Sequence, residues 1–408
     1  MKHDQQQPPA AALNDRDQAA LGVRWVHDIL LEAAHTGASD IHFEPYAECY
    51  RVRFRLDGLL QTRREFPLLQ AASMTAHLKI MSQLDIAERR RPQDGRLQVP
   101  LANHGGLNLR INCLPTLYGE KIVLRILNTL NTAHAIEDLG MQAEQMAHYL
   151  KALQTPQGLI LVTGPTGSGK TLTLYAGLQR LNQEHLNIAT VEDPVEIPIF
   201  GVNQVAVNHK TGLDFAQALR AFMRQDPDVL MVGEIRDRET AVIALRAAQT
   251  GHRVMSTVHT NSAAETLQRL LHMGLTPYDI AATLTLIIAQ RLVRRLCPQC
   301  KQPLHLPSTA MAAEGFTPTQ QAQATLFSAH GCTECHQGYQ GRVGLFEVVP
   351  ITSDLAQLML AGASAHRLSS AFTEAGFQSL RAAGLAAVAA GTTTLSEVNR
   401  VTFGEWDV

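Results

Sequence analysis

No apolar run in this sequence is long enough to cross a membrane; the longest, such as Ile287-Ile288-Ala289, end within a few residues at charges like Arg291. The opening stretch MKHDQQQPPAAALNDRDQAA has neither the apolar core nor the cleavage pattern expected of a secretory leader. The expectation is a cytoplasmic chain whose membrane association comes through a partner. A charge excess of either sign is missing too, with 35 Lys plus Arg against 37 Asp plus Glu and a net charge of -2. Aromatics make up only 5%. A nucleic-acid protein needs a basic stripe with exposed aromatics, so nucleic acid as the main ligand is disfavoured. There is no internal repeat and no coiled-coil heptad. Cysteines number six, and a cytoplasmic chain does not keep them as a disulfide framework.

What is present divides along the chain. At about 150 residues per domain, 408 residues predict two or three domains, each able to bury a core. Residues 1–20 are polar and rich in Gln, Pro and Ala, and are expected to be a disordered tail, with order starting near Val23. Trp25, Ile29, Leu30 and Ala33 mark one helix face. Residues 50–58 alternate like a half-exposed strand closing in a turn; a helix through Met74, Leu78, Met81 and Leu84 follows, then strands near 97–99, 107–112 and 122–127. Residues 21–130 therefore read as a small α+β domain. The weakly patterned NTLNTAHAI at 128–136 marks the boundary, and residues 131–408 alternate apolar strands with amphipathic helices, the pattern of an α/β parallel sheet.

Residues 164–171 read GPTGSGKT, between the apolar Leu159-Ile160-Leu161-Val162 and a helix with Leu174, Leu178 and Leu181 on one side. Gly164, Gly167 and Gly169 let backbone N–H groups converge on phosphate oxygens, and the helix N-terminus adds partial positive charge. Pro165, Thr166 and Ser168 complete the loop; Lys170 is placed to reach the β and γ phosphates of ATP and Thr171 to hold Mg²⁺. Three later apolar strands end in polar residues: Ile188–Val191 in Glu192-Asp193, Val229–Val232 in Gly233-Glu234, and Val254–Val258 in His259-Thr260. In an open parallel sheet, ligands bind at the strands' carboxyl ends, so these clusters are expected to converge on the loop. Glu234 is the candidate for polarising the attacking water, with Glu192 its rival, and His259 for sensing the terminal phosphate. Each alone is an ordinary cap, surface acid or core histidine; together they point to a nucleotide site.

Cys297-x-x-Cys300 and Cys332-x-x-Cys335 form two knuckles about thirty residues apart, a spacing suited to tetrahedral zinc. A redox pair and metal-free knuckles are the alternatives. With four sulfur ligands the zinc would be structural. Cys49 and Cys113 read as small buried hydrophobes, and His330 and His336 as solvated loop residues.

The chain resembles the secretion ATPases of the type II secretion and type IV pilus assembly family from about Gly37 to Phe403. The resemblance rests on GASDIHFEP at 37–45, VRFRLDGLL at 52–60, LDIAERRRPQDGR at 84–96, YGEKIVLRIL at 118–127, the GPTGSGKT loop, TVEDPVE at 190–196, RQDPDVLMVGEIRDRETA at 224–241 and AAQTGHRVMSTVHTN at 247–261. It implies a RecA-like ATPase core, with an acidic box at Glu192 and Asp193, an atypical Walker B motif at Glu234 and a histidine box at His259. It also implies a homohexamer in which N-terminal-domain arginines, best matched by Arg110 and Arg125, approach a bound nucleotide, with Arg220 and Arg224 as further charge-neutralising candidates. Strand arginines that simply face solvent are the alternative. A tetracysteine zinc subdomain, here 291–346, belongs to the family's assembly and secretion branch, and C-terminal helices are expected over 351–403. The implied role is ATP-driven pilus or pseudopilus assembly, or protein secretion, through an inner-membrane platform protein that holds the motor peripherally at the membrane. The alternatives are a retraction or DNA-uptake motor and a nucleotide-binding scaffold without turnover. Two departures stand out: family members commonly carry an additional N-terminal domain that docks on an inner-membrane partner, and HQGYQGRVGLFEV after the second knuckle is slightly short.

Overall fold

A computed structural model describes residues 15–100, 106–127 and 135–402, and side chains from residue 20 onward. The chain forms two compact units that divide between residues 132 and 133. The boundary expected at 128–136 falls largely outside the described residues.

In the first unit, α1 (Asp15–His35) is followed by β1 (Asp40–Pro45), β2 (Cys49–Leu56), β3 (Leu59–Pro67), α2 (Ala71–Met81), β4 (Gln93–Val99), β5 (Leu107–Thr116) and β6 (Gly119–Leu127). The strands form one antiparallel sheet in the order β3-β2-β1-β6-β5-β4. Period-two alternation sends Tyr50, Val52, Phe54 and Leu56 of β2 and Leu109, Ile111 and Cys113 of β5 to a core shared with Ile29, Leu30 and Ala33 of α1 and Met74 and Leu78 of α2. Asp57 and Gly58, both at positive φ, close the β2–β3 hairpin in a two-residue turn.

Three expectations are corrected here. Helix α1 starts at Asp15, so order begins earlier than Val23 and the tail reading fails for residues 15–20. Helix α2 stops at Met81; Gln83 adopts a left-handed conformation and turns the chain so that Leu84 leaves the helix and packs on the strand at Gly95. Cys113 is buried, but it is not merely apolar: its thiol donates to Glu120 Oε1 at 3.1 Å, and burial pushes the thiol up to about 12. Cys49 is half-buried.

The second unit contains α3 (Ala143–Gln154), β7 (Gly158–Thr163), α4 (Lys170–Leu181), β8 (Ile188–Glu192), β9 (Asn203–Ala206), α5 (Phe215–Phe222), β10 (Val229–Val232), α6 (Arg238–Gln249), β11 (Arg253–Val258), α7 (Ala263–His272), α8 (Pro277–Thr283) and β12 (Leu284–Leu296). There follow β13 (Gln302–Leu304), α9 (Ser308–Ala313), α10 (Pro318–Gln323), β14 (Leu326–Ser328), β15 (Tyr339–Pro350), α11 (Ser353–Leu360), α12 (Ala365–Glu374), α13 (Leu380–Ala389) and α14 (Leu395–Thr402). Its main sheet runs β15-β12-β7-β11-β10-β8-β9, parallel except for the β12–β15 pair. Successive strand residues serve opposite cores: Leu159 and Leu161 pack with α5 to α8, α11 and α12, while Ile160 and Val162 pack with α3 and α4. Leu174, Leu178 and Leu181 of α4 point into that second core, so each contributes up to about 1.5–3 kcal/mol of apolar burial. A third core gathers α9, α13 and α14 around the distal part of β12. Among the described residues no helix is long and apolar enough to cross a membrane.

Candidate functional site

Fully buried β7 fixes where the glycine-rich loop begins. Gly164, Gly167 and Gly169 take φ values of +148°, +80° and +88°, conformations that L side chains avoid. A Cβ at Gly164 would lie 2.6 Å from Ser168 Oγ, and one at Gly169 would lie 2.9 Å from Gln290 Nε2. The loop is thus pressed against β12, whose Gln290 also accepts a 2.7 Å hydrogen bond from Thr173 Oγ1. Ser168 Oγ is buried and has no hydrogen-bond partner among the described residues, an unmet polar group in the cradle that a phosphate oxygen would satisfy. Lys170 opens α4 and donates to the carbonyls of Gly164 at 2.8 Å and Pro165 at 3.0 Å. Burial lowers its ammonium to about 8 despite the opposing pull of Glu234, and Arg291 adds to the lowering. Pro165, Thr166, Gly167 and Thr171 are exposed, leaving the mouth of the loop open.

Parallel register brings the strand ends level: Thr163 of β7 pairs with Val258 of β11, and Val232 of β10 pairs with Ser256 on one side and Val191 on the other. Two of the three expected clusters meet at the loop. Glu234 Oε2 lies 3.5 Å from His259 Nε2, its Oε1 pairs with Arg236, and its charge acts on Lys170. Burial, with Lys170 next, lowers His259 from its ordinary value.

Glu192 is different. It is only 3% exposed, and its carboxylate is filled by neutral donors: Tyr175 from α4, Thr190 Oγ1 at 2.7 Å and Gln204 Nε2 of β9 at 3.0 Å. Those bonds tie β8 to α4 and β9. Asp193, the next residue, faces His209 at 3.6 Å and adds its charge to Arg236.

The histidine loop is itself anchored. Thr163 Oγ1 meets Thr260 Oγ1 at 2.6 Å, and Thr260 Oγ1 meets Thr266 Oγ1 at 2.7 Å, so hydroxyls connect the end of β7 to α7. Buried Arg291 of β12 donates to Asn261 O at 2.9 Å and Oδ1 at 3.2 Å. Sequence reasoning missed Tyr175, Gln204, Arg236, Gln290 and Arg291. Arg236 had a signal, lying two residues after Glu234; Tyr175 depends on the packing of α4 and the others on strand pairing.

The arginine candidates are dispersed. Arg110 and Arg125 belong to the first unit, where Arg110 lies 3.8 Å from Asp94 and Arg125 Nε donates to Asp40 at 2.9 Å. Arg220 pairs with Glu239, and Arg224 Nη1 donates to Arg220 O at 2.8 Å. Among the described residues neither Arg220 nor Arg224 hydrogen-bonds to Lys170, Glu234 or His259.

Cys297, Cys300, Cys332 and Cys335 come together with all sulfurs within 4.8 Å of one another. Separations of 3.9 Å for Cys297–Cys332, 3.7 Å for Cys300–Cys335 and 3.6 Å for Cys332–Cys335 match the edge of about 3.8 Å that a tetrahedron with Zn–S bonds of about 2.3 Å requires. The amides of Gly331 and Cys332 donate to Cys300 and Cys335 sulfurs, each at 3.3 Å, which favours thiolates. The donor set fits a closed structural metal site. His330 is exposed and His336 half-buried beside it.

The model of the type II/IV secretion system protein family matches residues 15–400. The chain is 51% identical over 389 residues to the type IV pilus assembly ATPase PilB of Acinetobacter baylyi, covering 95% of this chain and 67% of that protein. It is 43% identical over 398 residues to the type II secretion system protein E of Pseudomonas aeruginosa, covering 97% and 78%. The crystal structure of the pilus retraction motor PilT with bound ADP superimposes with a TM-score of 0.63 at 26% identity, covering 92% of this chain and 96% of that one. Cradle, strand-end residues and these similarities agree: the chain belongs to the type II/IV secretion system protein family.

Proposed function

We propose that this protein is a hexameric motor that hydrolyses Mg-ATP to drive assembly of type IV pilus or pseudopilus subunits, or type II secretion, through an inner-membrane platform protein. The observation that carries the reading is the meeting of Lys170, Glu234 and His259 at the glycine loop, in a chain 51% identical to a pilus assembly ATPase. Residues 164–171 bind the phosphates, with backbone N–H groups and Lys170 as donors. Thr171 would hold Mg²⁺, which when bound draws charge from the phosphate oxygens. Glu234 orients and polarises the attacking water, and His259 reports on the terminal phosphate. Glu192, saturated by Tyr175, Thr190 and Gln204, holds the acidic box in shape, so water activation falls to Glu234. Arg110 and Arg125 supply cations to a nucleotide bound by a neighbouring copy, with Arg220 and Arg224 supporting, so that turnover depends on assembly. The motor works in the cytoplasm, held at the inner membrane by its partners. Zinc on the four cysteines stabilises its subdomain.

Assembly is favoured over retraction by 51% identity to an assembly ATPase against 26% to the retraction motor, and by the tetracysteine site. The test is Glu234→Gln: it should bind ATP normally and release phosphate at the rate of a Lys170→Ala blank. Ordinary turnover in Glu234→Gln would remove Glu234 from the role.

A further inference from the structure

The sheet of the first unit carries a row of arginines that its own acids do not balance. Register places Arg96 of β4 opposite Arg110 of β5, Arg110 opposite Arg125 of β6, Arg125 opposite Asp40 of β1, and Asp40 opposite Arg55 of β2. Directly paired residues project to the same face, so these side chains form one line across five strands, on the face away from the α1 and α2 core. At about 4.8 Å between strands, Arg96 and Arg125 stand about 10 Å apart with Arg110 between them. Like charges directly opposite one another are unfavourable in a sheet. Compensation is partial: buried Asp40 serves both Arg125 at 2.9 Å and Arg55 at 3.5 Å, and exposed Asp94 reaches Arg110 only at 3.8 Å. Arg96 is exposed and forms no ion pair among the described residues. Three planar donors in line, with charge to spare and a spacing comparable to a chain of phosphates, suit a polyphosphate anion.

We propose that Arg96, Arg110 and Arg125 act as one polyphosphate-binding row, and that Arg96 is a third cation brought by the first unit to the nucleotide of a neighbouring copy. This rests on the assembly-dependent hydrolysis proposed above. Arg96 lies on edge strand β4 with its side chain outside the core, so its replacement leaves the buried packing intact.

The experiment compares the full chain with Arg96→Ala and Arg96→Lys, using Lys170→Ala as the blank. Arg96→Ala should lower kcat on the order of tenfold with KM changed less than about threefold, and Arg96→Lys should recover part of the loss. An unchanged kcat overturns the proposal. If wild type itself turns over no faster than the blank, the hydrolysis reading fails by itself, and a second measurement decides the row. In the Lys170→Ala background, calorimetric binding of inorganic tripolyphosphate should weaken about fivefold on adding Arg96→Ala; equal affinity overturns the row. Flotation with anionic vesicles separates the other source of phosphate: reduced vesicle binding with tripolyphosphate affinity intact would assign the row to lipid headgroups and overturn it as well.

Discussion

The glycine loop allows two substitutions of the same chemistry to be set against each other. Gly167 and Gly169 both have positive φ, +80° and +88°, so alanine at either costs about 1–2 kcal/mol in left-handed backbone strain. Their surroundings differ. Nothing lies within 4 Å of a Cβ at Gly167, whereas a Cβ at Gly169 meets Gln290 Nε2 at 2.9 Å. Gln290 is held by Thr173, and moving it sacrifices a 2.7 Å hydrogen bond in a buried place, about a further 1 kcal/mol. Gly167→Ala should therefore lose about 1–2 kcal/mol and Gly169→Ala about 2–3 kcal/mol. The loss appears as lower stability if the loop keeps its path, or as weaker nucleotide binding if the unliganded loop relaxes. Melting and titration with a fluorescent ATP analogue should be read together; expressed wholly as affinity, the losses are about tenfold and about a hundredfold. Measured in a Thr173→Val background, the two glycine substitutions should differ less, because Gln290 is then already free of that bond. A summed loss for Gly169→Ala no larger than for Gly167→Ala would refute the reasoning.

Two further outcomes follow from the tetracysteine site and the C-terminal helices. Purified wild-type protein should contain about one zinc per chain by metal analysis and Cys297→Ser well under half of that, since one of four thiolates is lost from a closed site; equal zinc would exclude this cluster as the binder. Glu397 is 2% exposed; burial alone would raise its carboxyl, but bonds from Arg400 and Arg294 outweigh that and bring it from 4.5 to about 2. A folded value below the unfolded one means the stabilisation is complete above about pH 4.5 and fades as pH falls toward 2, a contribution of about 3 kcal/mol. The melting-temperature gap between wild type and Glu397→Gln should be constant above about pH 5 and shrink over that acid window; a gap independent of pH would show that Glu397 stabilises by packing alone.

Elements with strong local signals were legible in the sequence. Leu174, Leu178 and Leu181 define α4, alternation defines β2, and the apolar runs before Glu192, Glu234 and His259 define β8, β10 and β11. Boundaries set by a single backbone conformation were not: Leu84 continues the helical period, yet Gln83 at positive φ ends the run before it. Nor did composition reveal what each acid does. Glu192 and Glu234 both follow apolar strands, and only the packing of α4 and β9 against β8 shows that one is saturated by Tyr175 and Gln204 while the other faces His259 and Lys170. Cys113 gave no hint of Glu120, seven residues ahead, because the β5–β6 hairpin folds them together.

The least legible element is also the one on which the second unit's parts converge. Strand β12 mixes apolar residues with Arg291, Arg294 and Arg295, so its sequence shows neither clean alternation nor a helical period; pairing with β7 on one side and β15 on the other makes it a strand. Along thirteen residues it presents Gln290 to the glycine loop, Arg291 to the histidine loop, Arg294 to Glu397 of α14, and then delivers Cys297 to the metal site one residue past its end. At about 3.3 Å per residue, Gln290 and Cys297 are separated by about 23 Å of extended backbone. Only the irregularity between Arg294 and Leu296 interrupts the β15 pairing along that stretch. A knuckle anchored at the far end of this strand therefore fixes the end of the element that backs the phosphate loop. This gives a closed, non-catalytic metal site a physical reason to lie in the same unit as the nucleotide site.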